Sequence, residues 1–252
     1  MKASIREPAV AGMFYPANPE KLRGMIEKFL ADAEPGRHPK AMIAPHAGYI
    51  YSGPIAASVY KRINPEKISR VVLIGPSHRV PLRGVAGSSA SFWRTPLGDV
   101  PVECPPFVPV NDAAHEQEHS LEVQVPFLQE VLGDFTLIPL VAGEASAEEV
   151  AGILERLWGG LETLVVISSD LSHYESYKIA REMDSAAANA IVALDERGLE
   201  YDNACGLIPI CGLLHLVKKK KLRAELVDLR SSGDTSGPRD QVVGYGAFAF
   251  YE

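Results

Sequence analysis

Apolar residues fall into two rhythms along this chain. Three unbroken apolar runs, at 41–44, 71–74 and 164–167, have the length and the flanking turn residues of strands buried on both faces. Each is followed within a few residues by a polar group with chemical potential: His46 after the first, His78 after Gly75 and Pro76, and Asp170 with His173 after the third. In open α/β sheets the ligand crevice lies beyond the carboxyl ends of the strands, so the three run-ends are expected to share one rim. Between the runs the period changes to that of a helix. Leu22, Met25, Ile26 and Leu30 predict a helix over 19–33, and Pro54 opens another to about Ile63. Leu121, Val125, Leu128 and Leu132 form one stripe over 120–132, where Pro126 demands a kink or a late start. Further helices are expected over 147–157, 177–194 and 207–220, with strands over 135–141, 224–229 and 242–251. Residues 81–110 are rich in Gly, Pro and Ser and read as short antiparallel pieces at a sheet edge. Strand, helix, strand in this order is a right-handed parallel crossover. The prediction is a single α/β domain over 1–252 with a central, mostly parallel sheet flanked by helices.

Composition narrows the function. A net charge of −7 over 252 residues argues against a nucleic-acid or anionic-membrane partner. Cys104, Cys205 and Cys211 make an odd number without disulfide-framework spacing, which points to a reducing compartment. The amino-terminal MKASIREPAVAGMFYP has no apolar leader, and the longest apolar run, 206–217, contains Pro209 and His215 and is too short for a bilayer. A cytoplasmic location is expected. A nucleophile elbow, a phosphate-binding loop lysine and a dinucleotide fingerprint are all missing from the sequence. The lysines 218–221 fit a helix carboxyl end, with a phosphate site as the minor reading.

The candidate chemistry is imidazole chemistry. His46 and His78 at neighbouring strand ends suit a first-row divalent ion. Asp170, Ser172 and His173 form a D-x-S-H turn in which His173 is placed for acid–base work, and Asp170 either fixes its tautomer or caps the turn. His119 and Glu122, three apart, share a helical face directed at the same crevice or at solvent. Phe14 and Tyr15 either plug the core or wall a pocket. The run His115-Glu116-Gln117-Glu118-His119 matches H-E-x-x-H, which in zinc peptidases needs a continuous helix through both histidines. Here it straddles the expected helix start at Ser120, so a peptidase is the weakest reading.

Taken together, AGMFYP, APHAGYIYSGPIAA, IGPSH, EHSLEVQVPFLQ, SSDLSHY and GYGAFAF, in this order from about residue 6 to residue 250, resemble the Memo family. The resemblance implies a fold similar to the extradiol-type non-haem iron dioxygenases. It implies that His46 and His78 bind metal, that His173 is the pocket acid–base histidine, and that Phe14 stands where eukaryotic members carry a tryptophan. It also implies a third ligand from the loop before the last strand, a cysteine in eukaryotic members. That loop here, 231–240, has none, and Asp234, with Thr235 and Asp240 beside it, is the replacement expected. An aspartate would make a 2-His-1-carboxylate set suited to Fe(II), with copper as the alternative. The implied function is a redox or dioxygenase-like enzyme on a small molecule or peptide. Its competitor is a phosphopeptide-binding module using the same pocket. Family context adds AMMECR-type and radical SAM proteins as expected partners.

Overall fold

The uninterrupted apolar runs become the centre of the sheet, and their alternate side chains face opposite helical layers. The structure, a computed structural model, describes residues 3–252; the first two residues of the stretch read for a leader lie outside them. In chain order the strands are β1 (Ile5–Arg6), β2 (Ala41–Ala44), β3 (Arg70–Pro76), β4 (Val85–Gly87), β5 (Phe92–Thr95), β6 (Gly98–Pro101), β7 (Thr136–Ala142), β8 (Thr163–Ser168), β9 (His173–Glu175), β10 (Arg223–Ser231) and β11 (Val242–Tyr251). The helices are α1 (Pro19–Asp32), α2 (Tyr49–Tyr60), α3 (Asp112–Glu116), α4 (Val125–Leu132), α5 (Ala147–Leu157), α6 (Tyr177–Val192) and α7 (Leu207–Lys219). No described helix is long and apolar enough to cross a membrane.

The main sheet runs β10-β11-β2-β8-β3-β7-β4, with β9 pairing onto β11. β2, β8, β3 and β7 are parallel, whereas β11, β10 and β4 join antiparallel at the two edges. The sheet is therefore mixed, with the parallel order confined to its middle. Within β3, Val71 and Leu73 pack with α1, α2 and α4, while Val72 and Ile74 pack with α5, α6 and α7. A strand buried on both faces needs apolar residues at every position, which is why these segments lack alternation. Residues 81–110 supply β4 and the β5–β6 hairpin, whose β5 also pairs with β1 in a small separate sheet.

Two helices start away from their expected positions. α2 begins at Tyr49, where the backbone N–H donates to the Phe14 carbonyl at 2.8 Å, and so carries Pro54 inside it. This tertiary contact ties the amino-terminal loop to the helix start. The segment expected to be helical from Ser120 is a 3-10 turn over Glu122–Gln124, and the α-helix waits for Val125, one residue before Pro126. That late start leaves 117–121 free to run as an irregular loop over the end of β3.

Candidate metal centre

β8 lies between β2 and β3, so the ends of these three strands are neighbours. β2 leads through Pro45 to His46, β3 leads to His78, and β8 ends in Ser168 with Asp170 just beyond. The irregular loop adds a third imidazole. Gly75 makes this possible: a Cβ there would lie 3.0 Å from Leu121 Cδ2 and 3.2 Å from Ser120 Oγ. The Ser120 hydroxyl donates to the Pro76 carbonyl at 2.8 Å and pins the loop down. His119 is thereby held against the other two. Among the described residues, His46, His78 and His119 each offer a nitrogen, and these lie within 4.8 Å of one another.

The partners of the rings fix their tautomers. Ser168 Oγ donates to the Ser120 carbonyl and accepts from Gln124 Nε2 at 2.8 Å. Gln124 cannot be turned over, because its Nε2 also donates to the Pro45 carbonyl and its Oε1 accepts from Tyr60 Oη. The single Ser168 proton is used, so the 2.9 Å contact with His46 must be donated by His46 Nδ1–H. His46 Nε2 then carries the lone pair. Glu118 does the same for His78: Oε1 lies 2.9 Å from His78 Nδ1, and Oε2 accepts the His78 backbone N–H. This carboxylate also accepts the backbone N–H groups of His119 and Ser120. Metal-binding histidines commonly have their other nitrogen held in this way. His119 Nδ1 is buried with no hydrogen-bond partner; it lies 3.2 Å from Glu118 Oε1 without hydrogen-bond geometry.

Burial, reinforced by His119 and His78, holds the His46 imidazole well below its usual range, so it is a neutral ligand at physiological pH. Burial alone would raise Glu118, yet the His119 and His78 imidazoles and the Ser120 N–H hold it well below the usual carboxylate range. Asp170 is raised by burial and accepts the His46 backbone N–H at 2.7 Å.

A thiol beside the cluster was not expected from the sequence. Cys205 Sγ lies 3.3 Å from His46 Nε2. Burial, with Asp170 adding to it, pushes this thiol up to about 12, so without a cation it is an S–H. A cation at His46 would favour the thiolate. Gly206 permits the approach, since a Cβ there would come within 2.7 Å of Ser169 Cβ.

A cavity of about 420 Å³ opens beside the imidazoles, lined among others by Phe14, His119, Asp170 and His173. His173 is exposed at its mouth, and the Phe14 ring sits 4.8 Å from that of His119. Five of the expected site residues, His46, His78, Asp170, His173 and Phe14, thus meet at one place, and His119 joins the imidazole cluster itself. Three do not. Asp234 accepts from Tyr177 Oη at 2.5 Å and from Ser231, and lies outside the cluster. Thr235 donates to the Ser232 carbonyl, and Asp240 is exposed. Glu122 faces away from the cavity, pairing with Arg6 at 2.6 Å and accepting from Tyr15 Oη and the backbone N–H groups of Ala9 and Val10. It anchors the loop that presents Phe14.

The peptidase reading is overturned. α3 ends at Glu116, and His115 is buried against Trp93 with its Nε2 3.2 Å from the Ala86 carbonyl. The two histidines of the motif point to different places, and Glu116 is exposed.

Comparison with known proteins agrees with the sequence motifs. Residues 6–249 match the family described as Memo-like protein. A MEMO1 family protein of Sulfolobus acidocaldarius is 38% identical, covering 96% of this chain and 97% of that protein. One from Archaeoglobus fulgidus is 37% identical, covering 98% and 99%, and one from Aquifex aeolicus is 38% identical, covering 96% and 97%. With its motifs in order and its relatives matched end to end, the chain belongs to the Memo family.

Proposed function

We propose that the protein holds a first-row divalent metal ion on His46, His78 and His119, with Cys205 as an additional donor, and uses it on a small molecule in the adjoining cavity. The observation that carries this reading is the fixed pair of tautomers: Ser168 and Glu118 occupy the Nδ1 positions of His46 and His78 and leave Nε2 of each for a ligand bond. His119 brings the third imidazole into the same cluster. Imidazole suits iron, zinc and copper alike, and a thiolate shifts preference towards softer ions. Fe(II) remains the ion favoured by the dioxygenase-like reading, and Cu(I) is favoured to the extent that Cys205 ligates.

The bound ion would supply Lewis-acid or redox chemistry to an oxygen donor of the substrate. The chain's own contribution is positional. His173, at the cavity mouth, exchanges a proton with the substrate, and Asp170 braces the His46 backbone beneath it. Phe14 packs on whatever fills the cavity. AMMECR-type and radical SAM proteins remain proposed partners in a modification pathway.

The test is anaerobic titration of the metal-free protein with Fe(II), Zn(II) and Cu(I). Binding is expected in the wild type, weakened at least tenfold in His78→Ala and His119→Ala and unchanged in Asp234→Ala. No binding of any of the three ions would sink the reading. Binding lost in Asp234→Ala would restore the carboxylate triad.

A further inference from the structure

Arg6, on the two-residue strand β1, sends its side chain beneath the loop that carries His119. It is buried, as is its partner Glu122, whose Oε2 it meets through Nη1 at 2.6 Å. The other two donors go to the main chain. Nε donates to the His115 carbonyl at 2.8 Å, and Nη2 to the Glu118 carbonyl at 2.7 Å. The guanidinium carbon lies 4.4 Å from the centre of the Trp93 ring and rests against it. The two carbonyls bracket the end of α3, one inside its last turn and one two residues beyond it. A buried ion pair adds little stability by itself, and an anchor for β1 alone has no need of both sides of a helix end.

The Glu118 carbonyl matters because of what stands on the other side of its peptide group. A trans peptide is planar, with C=O and N–H directed to opposite sides. Holding the carbonyl of Glu118 therefore sets the direction of the His119 N–H, which donates to Glu118 Oε1 at 2.9 Å. The guanidinium closes on one side of this plane and the Glu118 carboxylate on the other. The same Oε1 lies 2.9 Å from His78 Nδ1, and Oε2 accepts the His78 backbone N–H. A lysine is no substitute here: an ammonium is one point on a flexible stem, whereas the planar guanidinium presents its donors in fixed directions. Glu122 carries the connection further. Its carboxylate also accepts from the N–H groups of Ala9 and Val10 and from the Tyr15 hydroxyl, on the segment that sets Phe14 against the His119 ring.

We propose that Arg6 is a positioning residue for the metal centre. It orients the peptide between Glu118 and His119 so that Glu118 grips His78 and His119 faces the ion, and through Glu122 it makes the amino-terminal segment part of the site. Linked equilibria are reciprocal, so an ion on the imidazoles tightens that segment in return. This deepens the metal-site reading and rests on it for the ion; the hold on Glu118 and His78 belongs to the chain alone.

The experiment compares the wild type with Arg6→Met, Arg6→Lys and Leu154→Ala at a temperature where the proteins are folded. Leu154, buried on α5 in the opposite layer, controls for lost stability alone. In metal-free protein, the nitrogen chemical shifts of His78 report whether Nδ1 keeps its proton against Glu118. In loaded protein, a competing chelator gives the Zn(II) affinity and the ligand-field absorption of Co(II) reports the coordination geometry. Both Arg6 variants are expected to lose the uniform Nδ1–H state of His78, to bind Zn(II) roughly tenfold more weakly and to shift the Co(II) bands, and Leu154→Ala to do none of these. Amide exchange over residues 9–15 should slow when Zn(II) binds the wild type and not when it binds Arg6→Lys. If Arg6→Met does not fold, Arg6→Lys carries the same comparison. A His78 tautomer and Zn(II) affinity in the Arg6 variants equal to those of the wild type, or changes matched by Leu154→Ala, overturn the proposal. A wild type that binds neither Zn(II) nor Co(II) overturns the metal reading instead, and the His78 tautomer in metal-free protein still decides whether Arg6 positions Glu118.

Discussion

Removing the Ser168 hydroxyl should loosen the metal centre without touching a ligand. Ser168 Oγ serves three buried groups: the Ser120 carbonyl, Gln124 Nε2 and His46 Nδ1–H. In Ser168→Ala, Gln124 keeps its bond to the Pro45 carbonyl at 2.9 Å, so the uncompensated groups are the other two. Each buried polar group left alone costs about 1–3 kcal/mol, which for two groups gives a loss of roughly 2–6 kcal/mol in unfolding free energy, measurable by urea denaturation. The metal effect is separate. His46 would no longer be held in the Nδ1–H tautomer, and loss of such an outer partner weakens metal binding by about 10–100-fold. The assay is anaerobic titration against a competing chelator, with Ser168→Thr as the variant that retains the hydroxyl. Nitrogen chemical shifts of His46 give a direct reading of the premise. A metal affinity unchanged in folded Ser168→Ala, or an Nε2–H tautomer in the wild type, would refute the reasoning, because Nε2 would then not be the free donor.

Glu122→Ala should cost about 3–5 kcal/mol in urea denaturation, since it strands buried Arg6; a loss below about 1 kcal/mol would show the pair to be dispensable. For His115, burial lowers the imidazole to about 4 from its ordinary 6.5. Between those values the unfolded chain takes up a proton that the folded chain refuses. Stability should therefore fall as pH drops from 7 to 5, by about 2 kcal/mol from this residue, and His115→Phe should lose that part of the fall in denaturation curves at the two pH values. Tyr174, a non-glycine residue at φ 60°, stands in the left-handed region, so Tyr174→Gly should leave stability unchanged or raise it by up to about 1.5 kcal/mol, the left-handed penalty less the entropy of glycine; a drop in Tm of several degrees would contradict that strain. Cys205→Ser should weaken Cu(I) more than Fe(II) in parallel titrations, and equal effects would place the thiol outside the coordination sphere.

Much of the layout was legible because the central strands are buried on both faces and announce themselves as unbroken apolar runs. His46, His78 and Asp170 were found by the same rule, since they follow those runs directly. The edges were less legible: β1 has two residues and β9 three, too few for any period, and β10 and β11 are joined antiparallel where a mostly parallel sheet was expected. His119 was assigned to a helical face it does not occupy, because Pro126 delays α4 and the preceding loop is shaped by Gly75 and Ser120 rather than by local propensity. Cys205 had only a weak signal, a Cys-Gly step just before an apolar helix, and its proximity to His46 depends on packing across 159 positions of sequence. Asp234 followed from the resemblance, and its hydrogen bonds to Tyr177 and Ser231 account for where it actually points.

The five residues 115–119 show how one stretch can serve two ends. Because α3 stops at Glu116, His115 turns away from the cluster to the buried Trp93 wall, where Arg6 Nε donates to its carbonyl. Glu118 and His119 turn inward to the imidazole cluster. Had the helix continued, both histidines would have stood on one face, and Glu118 could not have received the backbone N–H groups of His78, His119 and Ser120 together. The resulting carboxylate is buried, ionised and shared between two imidazoles, with a second carboxylate, Asp170, behind the third. Among the described residues no lysine or arginine lines the cavity to balance that charge, and His46 resists protonation. A divalent cation held on the three nitrogens would supply the missing charge at the position where the side chains cannot.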